Sequence, residues 1–264
     1  MKIYQVDSFT SERFKGNPAG VCILEEFLET EMMQSIAAEM NLSETAFVET
    51  KEKVFKIRYF TPTQEVPLCG HATLASAHIL YELGVVPTSS EFVFRAKESD
   101  LTISFVDDWI KMDFPAYKLT EKEISKEFCE IIGIKPIEWY ESENKWVVAR
   151  VATEKEVQAA TPDFAKIQEK GMGLVIAVTA KSESSAYDFV VRVFCNPISG
   201  ITEDPVTGAA NCILVPFWNM KLEKTNFKSK QLSKRTGELK TVYKGNRIEI
   251  FGKAKTVFNI EMMD

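Results

Sequence analysis

Histidine is scarce in this chain, and long apolar runs and paired cysteines are absent. Its 264 residues include two histidines, and its five cysteines are widely spaced without a Cys-x-x-Cys pair. Such cysteines favour free thiols in a reducing compartment over a disulfide framework or a zinc site. No run reaches the length of a membrane span, and the first residues alternate like a strand rather than like a signal peptide. We therefore expect a cytoplasmic protein that is not held at a membrane.

The charged residues give no sign of a nucleic-acid partner. Lys and Arg number 32 against 38 Asp and Glu, for a net charge of −6, and the cationic residues are scattered rather than gathered in a stripe. The composition, 45% hydrophobic and 27% charged, is that of a globular protein. The length permits one large domain or two smaller ones.

One short motif occurs twice. Residues 65–72 read Glu-Val-Pro-Leu-Cys-Gly-His-Ala, and residues 203–210 read Glu-Asp-Pro-Val-Thr-Gly-Ala-Ala. In both copies a glycine and small residues open an apolar helical run, and the unpaired N–H groups of a helix start favour a bound anion. One copy alone would be an ordinary helix start. Two copies that differ at the positions capable of chemistry indicate a site for a small carboxylate-bearing metabolite.

The order of elements predicts an α+β fold made of two similar halves. Strands dominate before residue 115, with helices predicted only at 30–40 and 72–83. Beyond it, helices predicted at 120–132, 153–160, 161–170 and 209–220 alternate with strands. We expect halves at 1–115 and 116–264, each a mostly antiparallel twisted sheet or barrel around a central helix, related by pseudo-two-fold symmetry. The C-terminal tail is expected to complete the first half.

His71 and Asp204 are the candidates for chemistry that the two motifs supply. His71 follows Gly70 at a helix start, where the helix dipole lowers the imidazole pKa and favours a neutral ring that can donate to a substrate oxygen. Asp204 stands where the first copy has Val66, so it is a better site candidate than Glu203, which both copies share.

Cys69 and Thr207 occupy the same place in the two copies. Two thiols there would suit a cofactor-independent racemase, but the threonine hydroxyl is too weak an acid to replace the second thiol. Glu44 lies between a predicted helix and a strand, and from the residues alone it is either a solvated carboxylate or one aimed into the site.

Several segments together resemble one enzyme family. They are Asp-Ser-Phe at 7–9, Gly-Asn-Pro-Ala-Gly-Val at 16–21, Asn-Leu-Ser-Glu-Thr-Ala-Phe at 41–47, Arg-Tyr-Phe-Thr-Pro at 58–62, and the segments 65–73 and 203–208. On these residues the chain is identified as a member of the phenazine biosynthesis F-like isomerase family, in the diaminopimelate epimerase-like superfamily. The resemblance implies a two-domain epimerase-like fold, a homodimer, no cofactor and no metal.

The resemblance also implies roles for individual residues. Glu44 would transfer the proton, with His71 and Asp204 as the other catalytic residues. The substrate-binding residues it implies are Asn17, Gly70, Ala72, Gly208, Ala209 and Ala210. The chain departs from the family's usual residues at Ala209 and Asn211, which replace a serine and a histidine, and at Thr236, which replaces a glycine.

The function predicted from the sequence is a cofactor-independent isomerase. Glu44 would remove a proton from an activated carbon of a small carboxylate-bearing substrate and return it elsewhere on the same face. Two alternatives stay open at this point. One is a racemase or epimerase of a small amino or hydroxy acid that uses Glu44 or Cys69 with another partner, and the other is a non-catalytic scaffold that binds metabolites or proteins.

Overall fold

The computed structural model describes residues 1–51, 54–89, 91–97 and 99–263. The chain divides into two compact units, of which the first is Met1–Asp113 with the tail from Phe251 and the second is Phe114–Ile250. Across these described ranges, no helix has both the length and the apolar character needed to cross a bilayer. All five cysteines are free thiols.

Strands outnumber helices among the described residues. The strands are Lys2–Ser8 (β1), Asn17–Leu24 (β2), Glu44–Glu49 (β3), Phe55–Phe60 (β4), Glu65–Val66 (β5), Phe92–Arg95 (β6), Asp100–Val106 (β7), Trp109–Pro115 (β8), Leu119–Lys122 (β9), Glu138–Ser142 (β10), Val147–Arg150 (β11), Val175–Lys181 (β12), Phe189–Cys195 (β13), Glu203–Asp204 (β14), Asn226–Gln231 (β15), Gly237–Tyr243 (β16), Arg247–Gly252 (β17) and Ala254–Glu261 (β18). The helices are Thr30–Met40 (α1), Gly70–Glu82 (α2), Lys126–Ile132 (α3), Glu154–Ala159 (α4), Phe164–Glu169 (α5) and Asn211–Leu222 (α6).

The first unit is a mostly antiparallel sheet. Its strands pair in the order β18-β1-β2-β3-β4-β6-β7-β8, with the short β5 also beside β4. Only the β2–β3 and β4–β6 pairs in this series are parallel. The tail strand β18 pairs with β1 along its length, from Lys2 opposite Glu261 to Ser8 opposite Ala254.

The second unit repeats this order of strands. Its strands pair as β9-β10-β11-β12-β13-β15-β16, with the short β14 beside β13. The parallel pairs, β11–β12 and β13–β15, stand at the same places as in the first unit. The predicted α+β fold, built twice from a mostly antiparallel sheet, is confirmed.

Each unit also contains a helix that is buried around nearly its whole circumference. In α2 residues 71–77 are all buried, and in α6 residues 211–218 are all buried. Such a helix must carry apolar or small residues on every face, because it has no solvent face. In α2 the small residues between Ala72 and Ala77 meet this requirement. The first turn of α2, which carries His71, is therefore held in place by packing.

The helices predicted in the second half begin later than expected, and α4 and α5 begin at Glu154 and Phe164 instead of residues 153 and 161. Residues 119–122 form β9, which pairs with β10, and α3 begins only at Lys126 because the Ser125 side chain accepts a hydrogen bond from the Phe128 N–H. The last helix begins at Asn211 instead of Ala209. The turn before it is tighter than an α-helix, since the Asn211 N–H bonds to the Gly208 carbonyl three residues back.

An arginine–glutamate pair fixes the strand that leads into each motif. Arg58 Nε and Nη2 donate to Glu65 Oε1 and Oε2 at 2.8 and 2.9 Å. Arg192 donates in the same way to Glu203, at 2.8 Å for both contacts. Two parallel hydrogen bonds between a guanidinium and a carboxylate fix orientation as well as distance. The repeated glutamate is thus structural in both units.

We expect Glu65→Gln and Glu203→Gln each to lower the free energy of unfolding by about 1–3 kcal/mol, because a partly buried guanidinium loses its charged acceptor. The control is Glu127→Gln, which removes an exposed partner of Lys170 and should cost less than about 0.5 kcal/mol. Urea unfolding measures all three. Equal and small effects would contradict an anchoring role for the two pairs.

Candidate active site

Glu44 is the first residue of β3 and lies against the start of α2. The preceding helix α1 ends at Met40, and the left-handed backbone of its C-cap residue Asn41 (φ 49°) turns the chain back towards the sheet. The Glu44 side chain is only 19% exposed, and its Oε2 lies 3.3 Å from His71 Nε2. The carboxylate is therefore held against the imidazole and does not extend into bulk water.

The His71 ring is neutral. Burial lowers its pKa from 6.5 to about 3, because the charged form cannot be hydrated there. The sequence predicted a lowered pKa from the helix dipole, whereas desolvation is the cause that the structure identifies. Since the ring is uncharged at neutral pH, the 3.3 Å contact between its Nε2 and Glu44 Oε2 is not an ion pair.

Three further side chains surround His71. The Asn17 Nδ2 lies 3.2 Å from His71 Nδ1, and Ser8 Oγ donates to the His71 carbonyl at 2.7 Å. Cys69 Sγ is 3.4 Å from Nδ1 and 3.9 Å from Nε2. At these two distances the sulfur must lie over the ring face, because an in-plane sulfur would overlap the carbon between the nitrogens.

Glu44, Cys69 and His71 are also of the chemical types that bind metal ions. One ligand atom from each lies within 4.8 Å of the others. An imidazole binds a metal through a nitrogen lone pair in the plane of its ring, and the Cys69 sulfur lies over the ring face, away from that direction. The residues as arranged do not fit a shared tetrahedral ion.

In the second unit, Asp204 belongs to a separate hydrogen-bonded group. Asp204 is buried, and its Oδ2 accepts from Thr207 Oγ1 at 2.5 Å. Gln231 joins both residues: its Nε2 donates to the Asp204 carbonyl at 2.6 Å and its Oε1 accepts from the Thr207 N–H at 3.0 Å. These contacts fix the turn that precedes α6.

The two helix starts carry the predicted substrate-binding residues. Gly70 and Ala72 flank His71 in the first turn of α2, where N–H groups have no acceptor within the helix. Gly208, Ala209 and Ala210 form the turn before α6, and their N–H groups likewise precede its first helical bonds. That these groups bind substrate stays a prediction.

The strand registers identify the counterpart of Glu44 in the second unit. In the first unit Phe60 lies opposite Thr45 on one side and Glu65 on the other. In the second unit Phe194 lies opposite Ile176 on one side and Glu203, the counterpart of Glu65, on the other. Thr45 therefore corresponds to Ile176, and Glu44, one residue earlier, corresponds to Val175. A buried valine occupies the place of the carboxylate.

The repeated motif extends this asymmetry. Three positions of the motif also differ between the copies in chemically capable side chains, namely Cys69 with Thr207, His71 with Ala209, and Val66 with Asp204. Carboxylate, thiol and imidazole are thus gathered at the first copy of the motif, and at these matched positions the second copy has only the carboxylate of Asp204. Sequence comparison of the two copies located the last three pairs, but only the registers pair Glu44 with Val175.

Thr236, the third departure from the family's usual residues, has an unusual backbone. Its φ is 56°, a left-handed conformation that a β-branched residue rarely adopts. Its N–H donates to Ser233 Oγ at 3.1 Å, and the Ser233 hydroxyl donates to the Pro205 carbonyl at 2.6 Å. Hydrogen bonding to the Asp204 turn holds this threonine in a conformation that a glycine would adopt without strain.

The buried His71 should make the chain sensitive to acid. Below pH 6.5 the unfolded chain takes up a proton that the folded ring refuses until about pH 3. Above pH 6.5 the contribution of His71 to the free energy of unfolding should therefore be complete and constant. Below pH 6.5 the free energy of unfolding should fall towards pH 3, by up to about 1.4 kcal/mol per pH unit from this residue. Urea unfolding of the natural chain and of His71→Asn at pH 7.5, 6 and 5 measures it. Parallel pH curves for the two proteins would contradict the assignment.

Comparison with known proteins supports the same family. The model of the phenazine biosynthesis-like protein family matches residues 6–259. An uncharacterized isomerase of Halalkalibacterium halodurans is 41% identical over 263 residues, covering 99% of this chain and 98% of its own.

Solved structures extend the likeness to the fold. The crystal structure of a phenazine biosynthesis PhzC/PhzF protein from Clostridium difficile, 36% identical, superposes with a TM-score of 0.92 over 100% of both chains. A predicted epimerase of Pseudomonas aeruginosa, 17% identical and covering 100% of this chain and 99% of its own, shares the fold with a TM-score of 0.75. The family predicted from the sequence motifs is confirmed: this chain belongs to the phenazine biosynthesis-like protein family.

Proposed function

We propose that the chain is a cofactor-independent isomerase in which Glu44 moves a proton on one face of a small carboxylate-bearing substrate. The observation that carries the proposal is the placement of Glu44, with its Oε2 3.3 Å from a buried neutral imidazole and with Val175 at the matching position of the second unit. One carboxylate suffices when the proton leaves and returns on the same side. The isomerase name of the relative from Halalkalibacterium halodurans agrees with this reaction class.

The proposed reaction has two proton transfers. The Glu44 carboxylate takes a proton from a carbon next to a carbonyl or conjugated double bond, and the electrons of the broken C–H bond move into that conjugated system. The resulting carboxylic acid then gives the same proton to another carbon, where a new C–H bond forms. No redox partner is needed, because the substrate and product have the same composition.

His71 supports this reaction by remaining neutral. A ring whose pKa is lowered to about 3 by burial is a poor proton acceptor at neutral pH. The proton therefore stays on Glu44 between its two transfers. The N–H groups of Gly70 and Ala72 are suited to a substrate carboxylate or to negative charge that develops on it. Asp204, Gly208, Ala209 and Ala210 remain predicted contacts of the substrate.

Glu44→Gln should abolish turnover, by at least about 1,000-fold, and leave folding nearly unchanged, because the amide keeps the shape of the side chain. Glu49→Gln, at the other end of β3, is the matched control and should keep activity. A panel of small carboxylic acids that carry an acidic C–H is first incubated with the natural chain in deuterated water, and proton NMR identifies the compound that is converted. Full activity of Glu44→Gln on that compound would refute the role of Glu44.

The second candidate function is epimerisation with Cys69 as a partner of Glu44. It is favoured by one observation, the thiol that lies within 4.8 Å of the other two groups. Against it, Thr207 and Val175 replace the thiol and the carboxylate in the second unit, so the two groups that could act both come from one copy of the motif.

Cys69→Ala separates the two candidates. If Glu44 acts alone, we expect this variant to keep turnover within about threefold, and we expect the product formed in deuterated water to retain its configuration. Chiral chromatography and NMR of the product measure both quantities. Loss of activity in Cys69→Ala together with solvent deuterium in an inverted product would establish the epimerase instead.

A further inference from the structure

The two nitrogens of the His71 ring face different partners. A neutral imidazole has one N–H donor and one lone-pair acceptor. Its Nε2 lies 3.3 Å from Glu44 Oε2, and its Nδ1 lies 3.2 Å from the Asn17 amide nitrogen. Which nitrogen carries the hydrogen decides whether the ring turns an N–H or a lone pair towards Glu44.

We propose that Asn17 is a positioning residue that fixes His71 in the tautomer with hydrogen on Nε2, so that the ring turns an N–H towards Glu44 and not a lone pair. Asn17 was predicted from the family resemblance to bind substrate. In this proposal it acts through His71 instead. The proposal rests on the proposed function only for its catalytic meaning, since the tautomer can be observed without any substrate.

The polarity of this chain of contacts follows from the carboxylate. An ionised carboxylate can only accept hydrogen bonds, so the nitrogen that faces Glu44 must carry the hydrogen. Nδ1 is then an acceptor, and Asn17 must present its NH2 group to it. The opposite tautomer would set a lone pair against the Glu44 oxygen and an N–H against the amide N–H, and both contacts are repulsive.

Burial and backbone geometry hold Asn17 in this role. The residue is completely buried, so water cannot take the place of its amide. It follows Gly16, whose φ is +64° and where a Cβ would lie 2.1 Å from the Ser8 carbonyl oxygen. Ser8 lies opposite Asn17 in the β1–β2 pair and binds the His71 carbonyl. The ends of these two strands therefore hold both the ring and the backbone of His71.

The titratable groups that touch the ring are few among the described residues. Glu44 approaches from β3 and Cys69 from the residue before α2. Ser8 and Asn17, from β1 and β2, carry no charge. An ionisable residue in place of Asn17 would therefore be a new charge at Nδ1, and its effect can be read directly on the ring.

Nitrogen NMR of the full chain labelled with 15N-histidine tests the proposal. The chain has only two histidines, and His78→Gln assigns their signals. In the natural chain we expect the Nδ1 signal of His71 at the chemical shift of an unprotonated nitrogen and the Nε2 signal at that of a protonated one, throughout pH 5–9. A protonated Nδ1 in this spectrum would overturn the proposal, with no variant required.

Asn17→Asp replaces the amide donor at Nδ1 by a carboxylate acceptor while nearly keeping the shape of the side chain. The carboxylate that this substitution introduces is ionised at pH 9 and can then only accept hydrogen bonds. At pH 9 Nδ1 should therefore carry a hydrogen, either because the ring has changed its tautomer or because the ring holds a second proton. Because Nε2 then turns a lone pair towards Glu44 or the ring carries a positive charge, turnover of the compound that the natural chain converts should fall at least tenfold. Ser8→Ala, which removes a different buried hydrogen bond to His71, is the matched control and should keep the natural tautomer.

An unprotonated Nδ1 in Asn17→Asp at pH 9, or the same spectral change in Ser8→Ala, would count against Asn17. The outcomes for the two proposals are separable. An active Glu44→Gln refutes the isomerase mechanism and leaves the tautomer of the natural chain unaffected. A protonated Nδ1 in the natural chain removes the role of Asn17 and leaves Glu44 untouched.

Discussion

The contact between a buried neutral imidazole and a carboxylate is the interaction on which the chemistry of the first unit depends. His71 can lie next to Glu44 without becoming charged because α2 is enclosed on nearly all sides and excludes the water that an imidazolium would need. The helix packing thus sets the electrostatic state of the site. A more open α2 would leave an ordinary histidine with an ordinary pKa.

The duplicated architecture separates structure from chemistry. The arginine–glutamate pairs, the strand order and the places of the parallel pairs are the same in both units. The ionisable groups differ, since Val175 and Ala209 stand where the first unit has Glu44 and His71. A scaffold present in two copies allowed one copy to keep titratable groups and the other to carry small or apolar residues there.

The sequence predicts those features that local residue patterns encode. The start of α2 at Gly70 follows from a glycine before a run of small apolar residues, and the structural role of Glu203 follows from its presence in both copies. The strand β9 was wrongly predicted as helix, because residues 120–132 are good helix formers and the interruption comes from the Ser125 cap. The role of Glu44 required the family motif, since an isolated glutamate at a helix–strand junction is usually exposed.

Other features lie beyond local patterns. Asn17 and His71 meet across 54 residues of sequence, and the equivalence of Glu44 and Val175 is visible only through strand registers. The same holds for the conformation of Thr236, which depends on a hydrogen bond to Ser233. Each of these depends on long-range pairing that no short segment specifies.

The pairing of β18 with β1 has a consequence for biosynthesis. The second unit is one continuous stretch of chain, whereas the first sheet joins residues near the two ends, with Lys2 opposite Glu261. On the ribosome the continuous unit can fold as soon as it emerges, since domains fold as units during synthesis. The edge of β1 must wait for β18 to be translated, so until then β1 exposes unpaired backbone groups to which other chains could bind.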